Sequence, residues 1–135
     1  MNVTQLNHVA IHCADVARSS DFYGKVLGLE SIPRPAFNFP GAWFRIGRDQ
    51  ELHLIGRAPQ VHTVPRDRHY ALMVEDIEDT ASHLRRHGID FVGPRPRPDL
   101  AMQIFLHDPD GHMVELCTPP PGEETMTAST KTEVH

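Results

Sequence analysis

Hydrophobic and polar residues alternate in two short segments that both begin with a histidine. "HVAIHC" covers residues 8–13, and "HYALMV" covers residues 69–74. This alternation is typical of a β-strand with one face on a core. An aspartate that can cap a helix follows each segment, Asp15 in the first and Asp76 in the second. The pattern therefore predicts a strand followed by a helix in each half of the chain.

The two halves repeat with nearly constant spacing. His69 follows His8 by 61 residues, and the glycines that should end the helices, Gly28 and Gly88, are 60 residues apart. In the first half, the predicted helical stripe consists of Val16, Ser20, Tyr23 and Leu27. Each helix is followed by a short extended segment (29–33 and 89–93), a loop rich in proline and arginine, and two strands joined by a polar turn.

This order of elements predicts an α+β fold in which two tandem βαβββ modules form curved mixed sheets. The first module covers about residues 5–56 and the second about residues 69–119, within a single domain at 1–119. Residues 57–68 are interpreted as a surface linker. Residues 120–135 are polar and are expected to form a mobile tail.

Side-chain alternation also predicts which residues share the face away from the helices. His8 and His53 fall on this face in the first module, and His69 and Glu115 fall on it in the second. His53 and Glu115 are 62 residues apart, so they occupy equivalent positions in the repeat. Any one of these histidines alone is more often a polar residue at a strand edge. If the two sheets close on each other, the three imidazoles and the carboxylate converge, and such a set of ligands would suit a divalent transition metal.

Several other residues share that face. Trp43 and Phe105 are expected to supply apolar walls, and Arg45 either holds an anionic substrate group or is solvated. His12 and His107 are expected to line the pocket or to support the ligands.

Composition excludes some classes of function. The chain has 135 residues, of which 39% are hydrophobic and 23% charged, and a net charge of −5, which argues against a nucleic-acid partner. No apolar run approaches the roughly 20 residues of a membrane span, and no signal peptide is evident. With only two cysteines, the chain is expected to be a cytoplasmic protein without a disulfide framework.

Two long segments, "LNHVAIHCADVARSSDFYGKVLGLE" and "FLHDPDGHMVELCTP", resemble the vicinal oxygen chelate superfamily. That superfamily includes glyoxalase I, methylmalonyl-CoA epimerase, extradiol dioxygenases, and the fosfomycin and bleomycin resistance proteins. The resemblance covers about residues 5–119. It implies a divalent metal (Ni, Zn, Fe, Mn or Co) held by His8, His53, His69 and Glu115.

The resemblance further implies a lyase or isomerase that acts beside the metal-chelated carbonyl of a small-molecule substrate. Glu115, by its family position, or Glu51, by its place on the same face, would move a proton. Bacterial glyoxalase I has a glutamate where this chain has His53, which is a departure from its pattern. The alternatives are an iron-dependent extradiol-type dioxygenase and a small-molecule-binding resistance protein. A homodimer is expected, and the sequence leaves open whether the metal site lies within one chain or is shared.

Overall fold

The structure, a computed structural model, describes residues 1–59 and 67–122. Residues 60–66 of the predicted linker and residues 123–135 of the predicted tail lie outside the described residues. The elements are β1 (His8–Cys13), α1 (Val16–Asp21), a π-helical segment (Phe22–Val26), β2 (Glu30–Ile32), β3 (Gly41–Ile46), β4 (Gln50–Gly56), β5 (His69–Met73), α2 (Ile77–Arg86), β6 (Val92–Pro96), β7 (Met102–His107) and β8 (Met113–Cys117).

The strands form two four-stranded mixed sheets with the same topology. The first has the order β1-β4-β3-β2 and the second β5-β8-β7-β6. In each sheet one pair is parallel, β1 with β4 or β5 with β8, and the other pairs are antiparallel. The predicted α+β fold of two βαβββ modules is therefore confirmed.

The chain divides into two compact units. Among the described residues, the first unit contains 1–59 and 108–112, and the second contains 67–107 and 113–122. The turn that joins β7 to β8 is thus grouped with the first unit.

Local signals set the ends of both helices. The Asp15 carboxylate accepts a hydrogen bond from the Arg18 N–H at 3.0 Å, and Asp76 accepts one from Asp79 at 3.0 Å. Gly28 and Gly88 have φ angles of 76° and 68°, which suit glycine and end the helical turns. The predicted caps and stops are confirmed.

Two local predictions are corrected. The buried face of the first helix contains Ser19, Phe22 and Tyr23 rather than a stripe through Ser20 and Leu27, so the face toward the core already differs from the predicted one at Ser19, before the π-helical segment begins. In the second half, the strand predicted at 89–93 is β6 (Val92–Pro96), at the edge of its sheet. An edge position accommodates its prolines, since proline has no N–H to donate to a neighbouring strand.

Each sheet covers its core with the predicted apolar face. Ile11, Leu52 and Leu54 are buried in the first unit, and Leu72, Val114 and Leu116 in the second. The face away from the helix therefore presents the candidate site residues. Among the described residues, no helix is long and apolar enough to cross a membrane.

Candidate active site

The first unit brings His8 and His53 together. His53 on β4 lies opposite Ala10 on β1, two residues after His8. The two imidazoles stack with their centroids 4.2 Å apart and an interplanar angle of 17°. Trp43, which lies opposite His53 across the β3–β4 pair, stacks on the same imidazole at 3.8 Å and 1°. Two rings cannot stack on the same face of an imidazole, so Trp43 and His8 lie on opposite faces of the His53 ring.

Glu51 is the carboxylate next to this stack. Its Oε1 lies 2.8 Å from His53 Nε2, and its Oε2 lies 3.8 Å from Arg45 Nη1. The Glu51 side chain is 22% exposed, so solvent and small molecules can reach it. The Arg45 guanidinium lies beside Glu51, and its predicted role, to hold a substrate anion or to be solvated, stays a prediction. His8 Nδ1 is 2.8 Å from the side-chain oxygen of Asn7, which orients that ring.

The second unit brings His69 and Glu115 together. His69 Nε2 lies 2.9 Å from Glu115 Oε1, and the Gln103 amide donates to Glu115 Oε2 at 3.3 Å. The Glu115 side chain is only 5% exposed. Phe105 packs edge-on against His69 at 5.4 Å. The pKa of the Cys117 thiol is raised, mainly by burial and secondly by the nearby Glu115. Glu115 is thus a desolvated carboxylate with both oxygens engaged.

The two pairs occupy equivalent positions in their sheets. Glu115 lies opposite Ala71, two residues after His69, as His53 lies opposite Ala10. Phe105 lies opposite Glu115, as Trp43 lies opposite His53. Within each unit, the structure therefore reproduces the register read from the 61- and 62-residue spacing.

The four predicted ligands are divided between the two units. In the part of the chain that the structure describes, no group of three or more His, Cys, Asp or Glu side chains is close enough to hold a metal. His12 is exposed and lines a cavity of about 300 Å³ with Cys13 and Asp110 in the first unit. His107 is exposed on β7. Roles for His12 and His107 at the substrate pocket remain predictions.

The donor atoms fit a divalent transition metal. Imidazole nitrogens and one carboxylate suit Zn, Ni, Fe, Mn or Co. Two ligands on adjacent corners of such an ion, each about 2.1 Å from it, lie roughly 3 Å apart. His69 Nε2 and Glu115 Oε1 are 2.9 Å apart, which is close to that spacing. His53 Nε2 faces Glu51 in the structure and would have to exchange this hydrogen bond for the metal.

Sequence reasoning missed three contributors. It did not identify Gln103 as a hydrogen-bond partner of Glu115. It treated Phe37 and Phe39 as parts of a proline- and arginine-rich loop, although Phe37 packs beside Trp43 and Phe39 stacks on Phe37. Two aromatic residues separated by one position in such a loop were the available signal, since solvent alone does not favour them there.

Comparison with known proteins identifies the family. Residues 5–116 match the Glyoxalase/Bleomycin resistance protein/Dioxygenase superfamily, and the chain belongs to that superfamily.

The names of individual relatives refer to different activities. Glyoxylase I 4 of Arabidopsis thaliana is 36% identical over 127 residues, covering 87% of this chain and 72% of the relative. Metallothiol transferase FosB of Staphylococcus haemolyticus is 26% identical over 121 residues, covering 84% and 82%. A crystal structure of a glyoxalase family protein from Bacillus anthracis has a TM-score of 0.76 at 26% identity, covering 87% and 97%. The relatives therefore do not decide which reaction this chain catalyses, and that reaction depends on the residues of its own site.

Proposed function

We propose that the chain is a metal-dependent lyase or isomerase that moves a proton beside the carbonyl of a small molecule. The observation that carries this proposal is the placement of Glu51. Its carboxylate is partly exposed and lies 2.8 Å from the imidazole of a proposed metal ligand, His53. A general base has to lie within hydrogen-bond reach of a substrate that is held at such a centre.

The proposed metal ligands are His8, His53, His69 and Glu115. When bound, the metal would act as a Lewis acid that polarises the substrate carbonyl. The structure supports the ligand set through the two close pairs and their equivalent registers. Trp43 restrains the His53 ring by stacking, and Gln103 restrains Glu115 by hydrogen bonding. Restraints of this kind keep ligands oriented before the metal arrives.

Glu51 is a better proton carrier than Glu115. The two oxygens of Glu115 are held by His69 and Gln103, and its side chain is almost fully buried. The side chain of Glu51 is 22% exposed, against 5% for Glu115. The nearest Arg45 nitrogen lies 3.8 Å from Glu51 Oε2, which is longer than a hydrogen bond. Glu51 therefore takes the role that a glutamate at the position of His53 takes in bacterial glyoxalase I.

Isotope exchange tests this assignment. Metal-loaded protein should wash solvent deuterium into substrate or product at the carbon beside the carbonyl. Glu51→Gln should lower this exchange by roughly 100-fold or more, since general acid–base catalysis contributes about that much. Glu51→Asp should retain part of it. Turnover that consumes dioxygen stoichiometrically, for example with a catechol, would identify a dioxygenase instead.

We also propose a homodimer in which each metal site is shared. In this arrangement His8 and His53 come from one protomer, and His69 and Glu115 come from the other. The edge strands β1 and β5 support association, because Ala10, Ala71 and Met73 are exposed on them and Met73 is 65% exposed. Exposed apolar side chains on an edge strand favour burial against a second copy.

Subunit mixing tests the shared site. Neither His8→Ala nor Glu115→Ala should be active alone. In a mixed dimer, one site would lose both residues and the other would retain all four ligands, so activity should recover. If subunit exchange is confirmed by mass and no activity returns, each chain builds its own site.

A further inference from the structure

A row of aromatic rings leads away from His53 within the first unit. Trp43 stacks on His53, Phe37 lies 6.2 Å from Trp43, and Phe39 stacks on Phe37 at 5.2 Å and 27°. Phe37 and Phe39 lie in the loop between β2 and β3. We call Trp43, Phe37 and Phe39 the aromatic row. It connects the proposed metal ligand to the surface of this unit.

The outer end of the aromatic row is left accessible. Phe37 is 46% exposed, although burying a phenylalanine side chain stabilises a protein by about 1.5–3 kcal/mol. Phe37 is held in place by Trp43, by Phe39 and by the Arg34 guanidinium. An exposed aromatic ring that is fixed by its neighbours offers a flat face to a ligand at little cost in conformational entropy.

Two guanidinium groups make this end positively charged. The Arg34 Cζ lies 4.9 Å from the centroids of both Phe37 and Phe39, and the Arg57 Cζ lies 5.2 Å from Phe39. Arg34 donates a hydrogen bond to the backbone carbonyl of Phe39, and Arg57 donates one to that of Gly56. Within the described ranges neither arginine pairs with a carboxylate, even though the chain has 18 acidic residues.

The backbone makes room for one of these arginines. Arg34 lies over Gly41 at the start of β3, and a Cβ at that position would come within 2.9 Å of Arg34 Nε and Nη2. Glycine therefore allows the guanidinium to lie against the strand, next to both phenylalanines. The cation is a built part of this end of the aromatic row rather than a freely solvated side chain.

We propose that the aromatic row is a substrate subsite for a planar, conjugated group that carries a carboxylate. The planar group would stack along Phe37 and Trp43, and the carboxylate would pair with Arg34 and Arg57. The neighbouring oxygens of the substrate would then reach the metal beside His53. Only this last point rests on the proposed function. The substrate class is an aromatic or similarly conjugated carbonyl acid, and an aliphatic or uncharged substrate would leave the arginines or the rings unused.

Calorimetric titration of metal-free protein with 2-naphthoate tests the subsite apart from catalysis. This probe has a planar ring and a carboxylate but no neighbouring oxygens for a metal. Phe37→Ala and Arg34→Gln should each weaken its binding by roughly 5-fold or more, the scale of one cation–π or stacking contact. Cyclohexanecarboxylate, which lacks the planar ring, and 2-naphthylmethanol, which lacks the charge, should both bind more weakly than 2-naphthoate.

The second unit provides matched control variants. Arg85 lies over the ring of Phe91 at 5.4 Å, and no other aromatic ring of the described residues stacks on Phe91. Phe91→Ala and Arg85→Gln should leave naphthoate binding within about twofold. Circular dichroism should show that every variant is folded.

The outcomes separate this proposal from the metal-dependent reaction. Naphthoate binding that depends on Phe37 and Arg34 supports the subsite, even if the protein neither retains a metal nor exchanges deuterium. No binding to the wild type, or equal losses in the site and control variants, overturns the subsite and leaves the proposed reaction standing.

Discussion

The hydroxyl of Tyr23 holds the turn that leads into β8, and its removal should destabilise the protein measurably. Tyr23 is fully buried, and its hydroxyl donates to Asp108 Oδ2 at 2.7 Å. Asp108 is 5% exposed, and its Oδ1 accepts from the backbone N–H groups of Asp110 and His112 at 2.9 Å each. Tyr23→Phe would therefore leave one oxygen of a buried carboxylate without this donor.

The expected cost follows from the charge of the acceptor. A hydrogen bond to a charged group contributes about 1.5–3 kcal/mol. Because Oδ1 keeps its two backbone donors, we expect the cost to lie in the lower half of that range, at about 2 kcal/mol. For a domain of this size, that change corresponds to a fall in Tm of roughly 5–10 °C.

Urea denaturation followed by circular dichroism measures this cost. The midpoint should fall while the slope with denaturant stays constant. Asp108→Asn, and the double variant with Tyr23→Phe, complete a double-mutant cycle that isolates the pair, and we expect a coupling energy above about 1 kcal/mol. A Tyr23→Phe cost below about 0.5 kcal/mol would refute the assignment of this bond as a main anchor of the turn.

Three further predictions follow from particular residues. Leu100 has a φ of 71° and is 60% exposed. Leu100→Gly should relieve about 1–2 kcal/mol of backbone strain and cost roughly 0.5–1 kcal/mol in the entropy of the unfolded chain, so the urea midpoint should rise. A lower midpoint would contradict this prediction. Burial is the main cause, and the nearby Asp110 the second, of a raised pKa of the Cys13 thiol. The stability that the protonated thiol contributes is therefore complete below the unfolded pKa of about 8.5 and is lost as pH rises through the folded pKa. Wild type should therefore lose stability more steeply above about pH 8.5 than Cys13→Ala does, and parallel pH profiles in urea would be contrary evidence. Gln103→Leu removes the amide that orients Glu115 and should weaken metal affinity by roughly 10-fold in a competition with a chelator, whereas unchanged affinity would show that the amide is dispensable.

Features with a local cause could be predicted from the sequence. Asp15 and Asp76 cap helices by bonding a backbone N–H three residues away, and Gly28 and Gly88 adopt a conformation that most residues avoid. The alternation of side chains along a strand also depends only on neighbouring positions. The sequence therefore predicted that His53 and Glu115 lie on the faces away from the helices of their modules.

Features that depend on packing could not be predicted in this way. The π-helical segment adds a residue to one turn at the point where Phe22 and Tyr23 are both buried, and no periodic pattern indicates this. The contact between Arg45 and Glu51 requires the register of β3 against β4, which alternation does not supply. The position of one module relative to the other depends on surfaces that are far apart in the sequence, so the gathering of all four ligands remains a proposal.

Metal content is the most direct test of the account's central claim, that His8, His53, His69 and Glu115 form one metal site. Wild type, His8→Ala/Glu115→Ala and His83→Ala/His87→Ala should be loaded with the same metal, desalted and compared by elemental mass spectrometry. His83 and His87 are a matched control, because their rings are also close, at 4.4 Å, but lie at the end of α2. We expect the control to retain the metal content of wild type and the His8→Ala/Glu115→Ala protein, which lacks two of the four proposed ligands, to lose most of it on desalting, since loss of even a supporting contact weakens metal affinity by roughly 10-fold or more. Full metal occupancy in the His8→Ala/Glu115→Ala protein would contradict the claim.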